Sequence, residues 1–583
     1  MEQPWTDPDF STESSNLFYH SVPSIKFEWK RPKEISSAPK FVVDKRSEYD
    51  VTPGKLGNRN FSSVLGILYQ YRGLFYRAVP ADQGFQPEGS YGGIFHFRFW
   101  WAGEWTEVLV DDRLPTENGM LVFTQSSQSD QFWASLLEKA YAKLHGSYEA
   151  MKYATTVDIF NELTGGTTEI VSLDPSDICV KNVRKALSQT TIISAFSRSV
   201  TPDGIHSEQH YSVLDVLELQ TPRETVTLVK LCQSPGMKLL YKGPWTPGGS
   251  EYKRLSSQQK QQIGSDTLSE GEFWISWTAF DEAFDHIEIV FLDADTCQSE
   301  SRFKQGQVQP LHTRIFQGFW KRGITAGGSR NHFETFHINP QILFGLSQTS
   351  DVIAALIQHQ VLEPHIIGFS VYKVTGQVQG SNDLLKSNFF ANSKAIAHST
   401  YSNRRQILVR LQLEAGNYVF IPTTYEPGSE GTFTMRVYSQ TGISLCLLDC
   451  PPAMLRPTII RASTPNEEYR SLFLSFADEK KTVNAYELQE LLHNALLNDY
   501  VKSCAGLDVC RKVVQALNPG QLLGRISYTE FTDFLYSLKL WQEIFNQCKT
   551  TSGVMKAEKL RDALETVGKD SRERHDNKAE SLR

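Results

Sequence analysis

The run CPPAMLRPTII, residues 450–460, divides this chain into two textures that one fold cannot share. Before it, from about residue 190, come short strand-like runs: TIISAFS, YSVLDVLEL, TVTLVKL, GEFWISW and HIEIVFLD. From about 310 to 445, similar runs alternate with Gly- and Pro-containing turns and end in QILVRLQLEAGNYVFIPTTYEPGSEGTFTMRVYS, the even spacing of a β-sandwich. After it the pattern turns helical, at YRSLFLSF, AYELQELLHNALL, VCRKVVQAL and YTEFTDFLYSLKLWQEIFNQC. With 583 residues and about 150 per domain, roughly four domains are expected.

The N-terminal third mixes both kinds of element. Residues 1–50 are punctuated by Pro and Ser, with FEWKRPKEI as an extended entry segment. The apolar run from Phe61 to Leu74 has few breakers and predicts one buried helix. In GGIFHFRFWWAGEWTEVLVDDRLP, Phe95, Phe97 and Phe99 alternate with His96 and Arg98 ahead of a glycine turn, which predicts a hairpin. DQFWASLLEKAYAKLHGSYEA carries Phe132, Trp133, Leu136, Leu137 and Tyr141 at helical spacing, with Gly146 near its end, and predicts an amphipathic helix. The final KDSRERHDNKAESLR reads as a charged, disordered tail.

Formal net charge is −7 with both signs interspersed and no long basic run ahead of the tail, which argues against a nucleic-acid surface. The eight cysteines contain no CxxC pair, and a reducing cytoplasmic compartment is expected. The start MEQPWTDPDFSTESSN has no apolar signal region, and no run of ~18 apolar residues occurs, so no membrane span is expected.

FEWKRPKEI, GGIFHFRFW, GEWTEVLVDDRLP, FWASLLEKAYAKLHGSYEA, LTGG, GEFWISW, TAGGSRN, NPQ and GNYVFIP follow one another in an order and spacing beyond chance. On these motifs the chain resembles the large subunit of calpains, calcium-dependent intracellular cysteine proteases, to about Gly568. The resemblance implies a multidomain α+β chain: a papain-like core in two halves, a C2-like antiparallel β-sandwich and a helical penta-EF-hand domain, here truncated. The expected divisions are an extended entry segment (1–50), the first half of the core (51–175) and its second half (176–305). They continue with the sandwich (306–450), a linker (451–465), a partial penta-EF-hand domain (466–568) and the tail (569–583).

Papain-like chemistry needs a thiolate at a helix N-terminus, a histidine to carry the proton, an Asn to orient it and a Gln amide for the oxyanion. Calpains hold the thiol in a Gln-Gly-x-x-Gly-Asp-Cys-Trp box. Counting back from RAVP and aligning Gly54 and Gly57 places Pro53 at the Gln, Asn58 at the Asp, Arg59 at the Cys and Asn60 at the Trp. Arginine keeps its proton in proteins and is no nucleophile. The Gly-His-Ala-Tyr-Ser box reads EQHYS, with Gln209 at the histidine position and His210 one place on, on the opposite face of a strand. In LVKLCQSPG, Gln233 stands at the Asn position and the shielding Trp is missing. Cys232, Ser62 and Ser63 have no evident base. Losing a whole triad costs on the order of 10⁶ in turnover, roughly 8 kcal/mol of barrier. The expected function is a non-proteolytic calpain homologue, a pseudoprotease that serves as a protein-interaction or regulatory scaffold. The alternative is a calcium-dependent intracellular cysteine endopeptidase making limited cleavages in proteins.

The same resemblance implies calcium positions in the core. They fall on Asp50 and Gln131 in the first half, and on Glu270 and Glu272 in the second, where Pro247 replaces an acid. A neutral amide is a poor ligand for a hard cation. In the C-terminal loops, CKTTSGVMKAEK keeps Gly553 but has Lys559 at the twelfth place, and NPGQLLGRISYTE is one residue too long. ADEKKTVNAYE keeps Glu479 and Glu487 with two lysines between them. No cofactor is expected to be required, and calcium is at most weakly bound. The likeness stops after about the third hand, so pairing with a calpain small subunit through a fifth hand is not expected. The partners expected are other, unidentified proteins.

Overall fold

The computed structural model describes the chain except residues 1–3, 19, 21–25, 42–50, 56–57, 86–90, 127, 174–176, 202, 222–223, 235–240, 265–267, 301–302, 304–307, 361, 375–383, 449–458, 460–466, 497–504, 518–523, 552, 557–558, 561, 564–565 and 567–583. It divides into two compact units. The first holds Met1–Ile315 with Ser350–Ala355 and Arg436–Gly442, and the second holds Phe316–Thr349, Leu356–Met435 and Ile443–Arg583.

In the first unit, helix α1 (Arg59–Leu68) buries Phe61, Val64, Leu65 and Leu68, an i, i+3, i+4, i+7 stripe. The single helix expected from Phe61 to Leu74 is in fact two. Gln70 N–H and Tyr71 N–H reach back only three residues, to Ile67 O and Leu68 O, and α2 (Arg72–Ala78) restarts from a buried Tyr71. Both pieces are apolar on the buried side, so hydrophobic pattern alone does not reveal the break. Strands β1 (Ile94–Trp101) and β2 (Glu104–Asp111) pair antiparallel with Trp101 opposite Glu104. Ala102 and Gly103 both take positive φ, 50° and 90°, as a two-residue hairpin turn requires. Phe95, Phe97 and Phe99 are buried and Arg98 is exposed, the alternation read from the sequence. Against this hairpin lies α3 (Trp133–His145), with Leu136, Leu137, Ala140 and Tyr141 fully buried and Gly146 closing it at φ 96°. Next comes α4 (Thr156–Thr164), capped by the Thr155 side chain on Asp158 N.

After α4 this unit builds a six-stranded antiparallel sheet, with helices between its strands. Its strands are β3 (Thr167–Ser172), β4 (Thr191–Ser197), β5 (His210–Gln220), β6 (Thr225–Gln233), β7 (Glu272–Ser276) and β8 (Phe284–Phe291), in the order β7-β6-β5-β4-β8-β3. Strand β3, grouped above with the first half of the core, is an edge of the second half's sheet, with Thr167 opposite Phe291.

Downstream, β9 (His312–Trp320), β10 (Ile342–Leu346), β11 (Ser350–Gln358), β12 (Ile367–Val374), β13 (Ala397–His398), β14 (Gln406–Leu413), β15 (Gly416–Thr424), β16 (Gly431–Ser439) and β17 (Ile443–Leu447) form two sheets. One is the antiparallel set β13-β12-β15-β10-β17, the other β9-β16-β11-β14. Trp320 of β9 packs at a tilt against Phe433, ring centroids 4.4 Å apart, and donates its indole N–H to Pro422 O of the five-stranded sheet. The second unit ends in α5 (Arg470–Phe476), β18 (Thr482–Val483), α6 (Ala485–Ala495), α7 (Leu507–Leu517), β19 (Ile526–Ser527) and α8 (Tyr528–Cys548). Here β18 and β19 pair antiparallel, joining two helix–loop–helix units over a core of Phe473, Leu488, Leu491, Val514, Ile526 and Phe531. Among the described residues no helix is long and apolar enough to cross a membrane.

Candidate functional site

The approach to α1 is held by backbone constraints. Gly54 has φ 64°, and a Cβ there would lie 2.2 Å from Phe123 O, so the turn accepts only glycine. Asn58 caps the helix, its side-chain oxygen accepting from Asn60 N–H at 2.8 Å and Phe61 N–H at 3.3 Å, while its amide donates to Met151 O. Asn60 donates to Ala154 O at 3.3 Å. Between them Arg59 projects into solvent, its side chain 81% exposed, with Nη1 3.6 Å from Glu208 Oε2. A guanidinium at the positive end of a helix dipole is unfavourable, and Glu208 offsets it. Pro53, half-buried, has no side-chain donor to turn toward an oxyanion.

Beneath this turn lies Glu138 of α3, 1% exposed, accepting from Thr124 N–H at 2.7 Å and Thr124 O–H at 2.6 Å. Burial pushes its carboxyl from 4.5 to about 7, against the hydrogen bonds from Thr124 and from Asn58 N–H. A carboxyl whose folded value is raised stabilises the fold below the unfolded value and loses that contribution as pH rises through the folded one. Glu138→Gln keeps an acceptor for Thr124 N–H, and the Thr124 hydroxyl can turn to accept. This variant is expected to flatten the pH dependence between 4.5 and 7 and to exceed the parent at pH 8 by about 3 kcal/mol in urea unfolding. Parallel profiles for the two proteins would count against it.

The other two box positions lie just before β5 and at the end of β6. Glu208 has φ 54°, a backbone that favours glycine, at the Gly position of the histidine box. Gln209 follows, half-buried, its backbone tied to Ser197 by N–H to Oγ at 3.0 Å and by O accepting from Ser197 N–H at 2.9 Å. Tyr211 stands opposite Gln233 in the β5–β6 register. Gln233 is 3% exposed, and its Nε2 has no hydrogen-bond partner among the described residues. Ser234 Oγ packs against Gly66 of α1, 2.9 Å from where a Cβ would stand. Cys232 is buried and turned to Gln233 O, and Ser62 Oγ donates to Arg59 O at 3.0 Å.

His210 points the other way. It is 5% exposed, its ring tilted against Phe196 with centroids 4.9 Å apart, with Nδ1 3.0 Å from Ser194 Oγ and 3.5 Å from Glu288 Oε2. Both partners meet the same ring nitrogen and Ser194 is wholly buried, so the trio is neither a proton relay nor open to substrate. Burial lowers the His210 pKa and Glu288 opposes that. Arg59 thus meets Glu208, next to Gln209, and Gln233 stands across the sheet from Tyr211, two places on. Pairing of Arg59 with Glu208 was not read from the sequence, although an acid at a glycine position was the available signal.

Family-implied calcium ligands fare differently from one another. Asp50 lies outside the described residues. Gln131 is buried and donates its amide to Gln128 Oε1 at 2.7 Å. Glu270 is exposed, and Glu272 accepts from Lys230 Nζ at 2.7 Å and Ser269 N–H at 3.1 Å. An ammonium already on Glu272 does not fit a calcium site there. In the C-terminal region Glu479 is exposed, while Glu487 accepts from Arg525 at 2.7 Å. Among the described residues no group of three or more His, Cys, Asp or Glu side chains is placed to hold a metal.

Residues 5–291 match the family described as calpain family cysteine protease, and residues 316–438 match calpain large subunit, domain III. Calpain-C of Drosophila melanogaster is 40% identical, over 97% of this chain and 88% of that protein. Calpain-9 of Rattus norvegicus is 32% identical over 96% and 84%, and the Calpain-1 catalytic subunit of Sus scrofa is 32% identical over 93% and 79%. With its helix-borne box, its antiparallel sheets and this end-to-end similarity, the chain belongs to the calpain large-subunit family of cysteine proteases.

Proposed function

We propose that this chain is a calpain homologue without peptidase chemistry, a cytoplasmic pseudoprotease that acts by binding other proteins. The observation that carries the reading is Arg59, a solvent-exposed guanidinium at the first position of the helix where the family's thiolate would stand. The only histidine within one place of the family's base position, His210, is buried on the far side of its strand against Glu288. On this reading the two downstream sheets form a C2-like sandwich and the terminal helices a partial penta-EF-hand domain, offering protein-binding surfaces rather than a nucleic-acid or lipid-spanning one.

The test is a peptidase assay of the purified chain in millimolar calcium beside Arg59→Cys/Gln209→His/Gln233→Asn. The reading expects an inert parent and a measurably active triple variant. Calcium-dependent cleavage by the parent, lost on changing His210 or Cys232, would overturn it in favour of a calcium-dependent endopeptidase with a rebuilt site.

A further inference from the structure

Calcium-binding loops gather oxygens from carboxylates, carbonyls and hydroxyls around one cation, six to eight of them at 2.3–2.6 Å. The loop between α5 and α6 gathers such a set around a residue of this same chain. Arg525 lies immediately before β19, and the pairing of Val483 with Ile526 carries it across to the first loop. Its Nε donates to Thr482 Oγ1 at 2.8 Å and lies 3.1 Å from Asp478 Oδ2. Its Nη2 donates to Thr482 O at 2.9 Å and to Glu487 Oε2 at 2.7 Å. Two carboxylates, a hydroxyl and a carbonyl thus converge on one guanidinium, which is 21% exposed.

The loop backbone is shaped to present those oxygens. Lys481 holds a left-handed turn at φ 58°. Asp478 Oδ1 accepts from Thr482 N–H at 2.9 Å and Thr482 O–H at 3.0 Å, leaving Oδ2 for Arg525. Glu487 is oriented from the α6 end, where Asn484 N–H donates to its Oε2 at 2.8 Å and the Asn484 amide to its Oε1 at 3.0 Å. Glu479 is exposed and stands outside the cluster. A flat, permanently protonated fork already takes these oxygens, and a calcium ion would have to displace it to use them.

We propose that Arg525 takes the cation position of this loop, so that the first helix–loop–helix unit holds its shape without calcium. The positive charge is covalently part of the chain and bridges the two paired loops, so the unit does not switch with calcium concentration.

Hydrogen exchange on the full chain, read over residues 478–487 with and without millimolar calcium, tests this. The parent is expected to show the same protection in both conditions. Arg525→Gln is expected to lose protection there by about tenfold or more in the absence of calcium, the effect of losing charge-assisted hydrogen bonds. A parent loop that gains protection on adding calcium overturns the proposal, and so does an Arg525→Gln loop exchanging at the parent's rate. If Arg525→Gln does not fold, calorimetric titration of the parent with calcium decides alone. No heat supports the proposal, and binding heat that disappears in Glu487→Gln overturns it.

Discussion

Arg59→Cys alone is expected to leave peptide turnover at the level of the parent, while the triple variant with Gln209→His and Gln233→Asn exceeds it by about 10²-fold or more. A thiol placed at the first position of α1 gains the positive end of the helix dipole, which favours the thiolate. It gains no base, because His210 lies in the core against Phe196 and Glu288. Members of a triad act as a unit, so restoring one recovers almost nothing and only the set recovers catalysis. Pro53 still supplies no oxyanion donor, so the triple variant stays well short of an intact site. A single Arg59→Cys variant as active as the triple would mean that a base other than residue 209 serves the cleft.

The largest stability effect is expected at Asp111, at the end of β2. It is fully buried, and its carboxylate accepts from Lys139 Nζ at 2.6 Å, Arg113 Nη2 at 2.6 Å and Asp7 N–H at 2.8 Å. Burial works against its charge, but Arg113 and Lys139 hold it down at about 2. Lys139 is itself buried, which lowers its pKa to about 8 against the pull of Asp111. Asp111→Ala leaves that ammonium without its carboxylate, with the carbonyls of residues 111 and 113 and the Trp29 ring among its remaining contacts, and frees the Asp7 segment from its anchor. The expected loss is about 3–5 kcal/mol in the urea transition of the first unit, read by tryptophan fluorescence. Asp111→Asn/Lys139→Met removes both charges together and keeps an acceptor for Asp7 N–H. It is expected to recover most of that loss, since an apolar replacement of a buried pair is often close to neutral. A loss below about 1 kcal/mol for Asp111→Ala would show that the pair contributes no more than a surface ion pair does.

Much of this molecule was legible residue by residue. The hairpin follows from Phe95, Phe97 and Phe99 alternating with polar neighbours and from the Ala102-Gly103 turn, because a pleated strand repeats every two residues. Helix α3 follows from Trp133, Leu136, Leu137 and Tyr141 on one stripe with Gly146 in the left-handed closing position. Family membership followed from ordered motifs, and the residue types at positions 53, 59, 209 and 233 were visible without coordinates.

Tertiary structure decided the rest, wherever the deciding partner is remote in the chain. Local pattern said helix through residues 69–71, and packing of Tyr71 into the core broke it. Strand β3 was placed with its sequence neighbours, but its hydrogen bonds go to β8, more than a hundred residues on. Arg59 and Glu208 meet only because the fold sets the start of α1 beside the turn before β5. Arg525 reaches Asp478 and Glu487 only because β18 and β19 pair, a register that neither loop's own sequence encodes. Periodicity and turn chemistry are local and can be read from a single chain, whereas the choice of partner for a charge depends on which distant backbone arrives beside it.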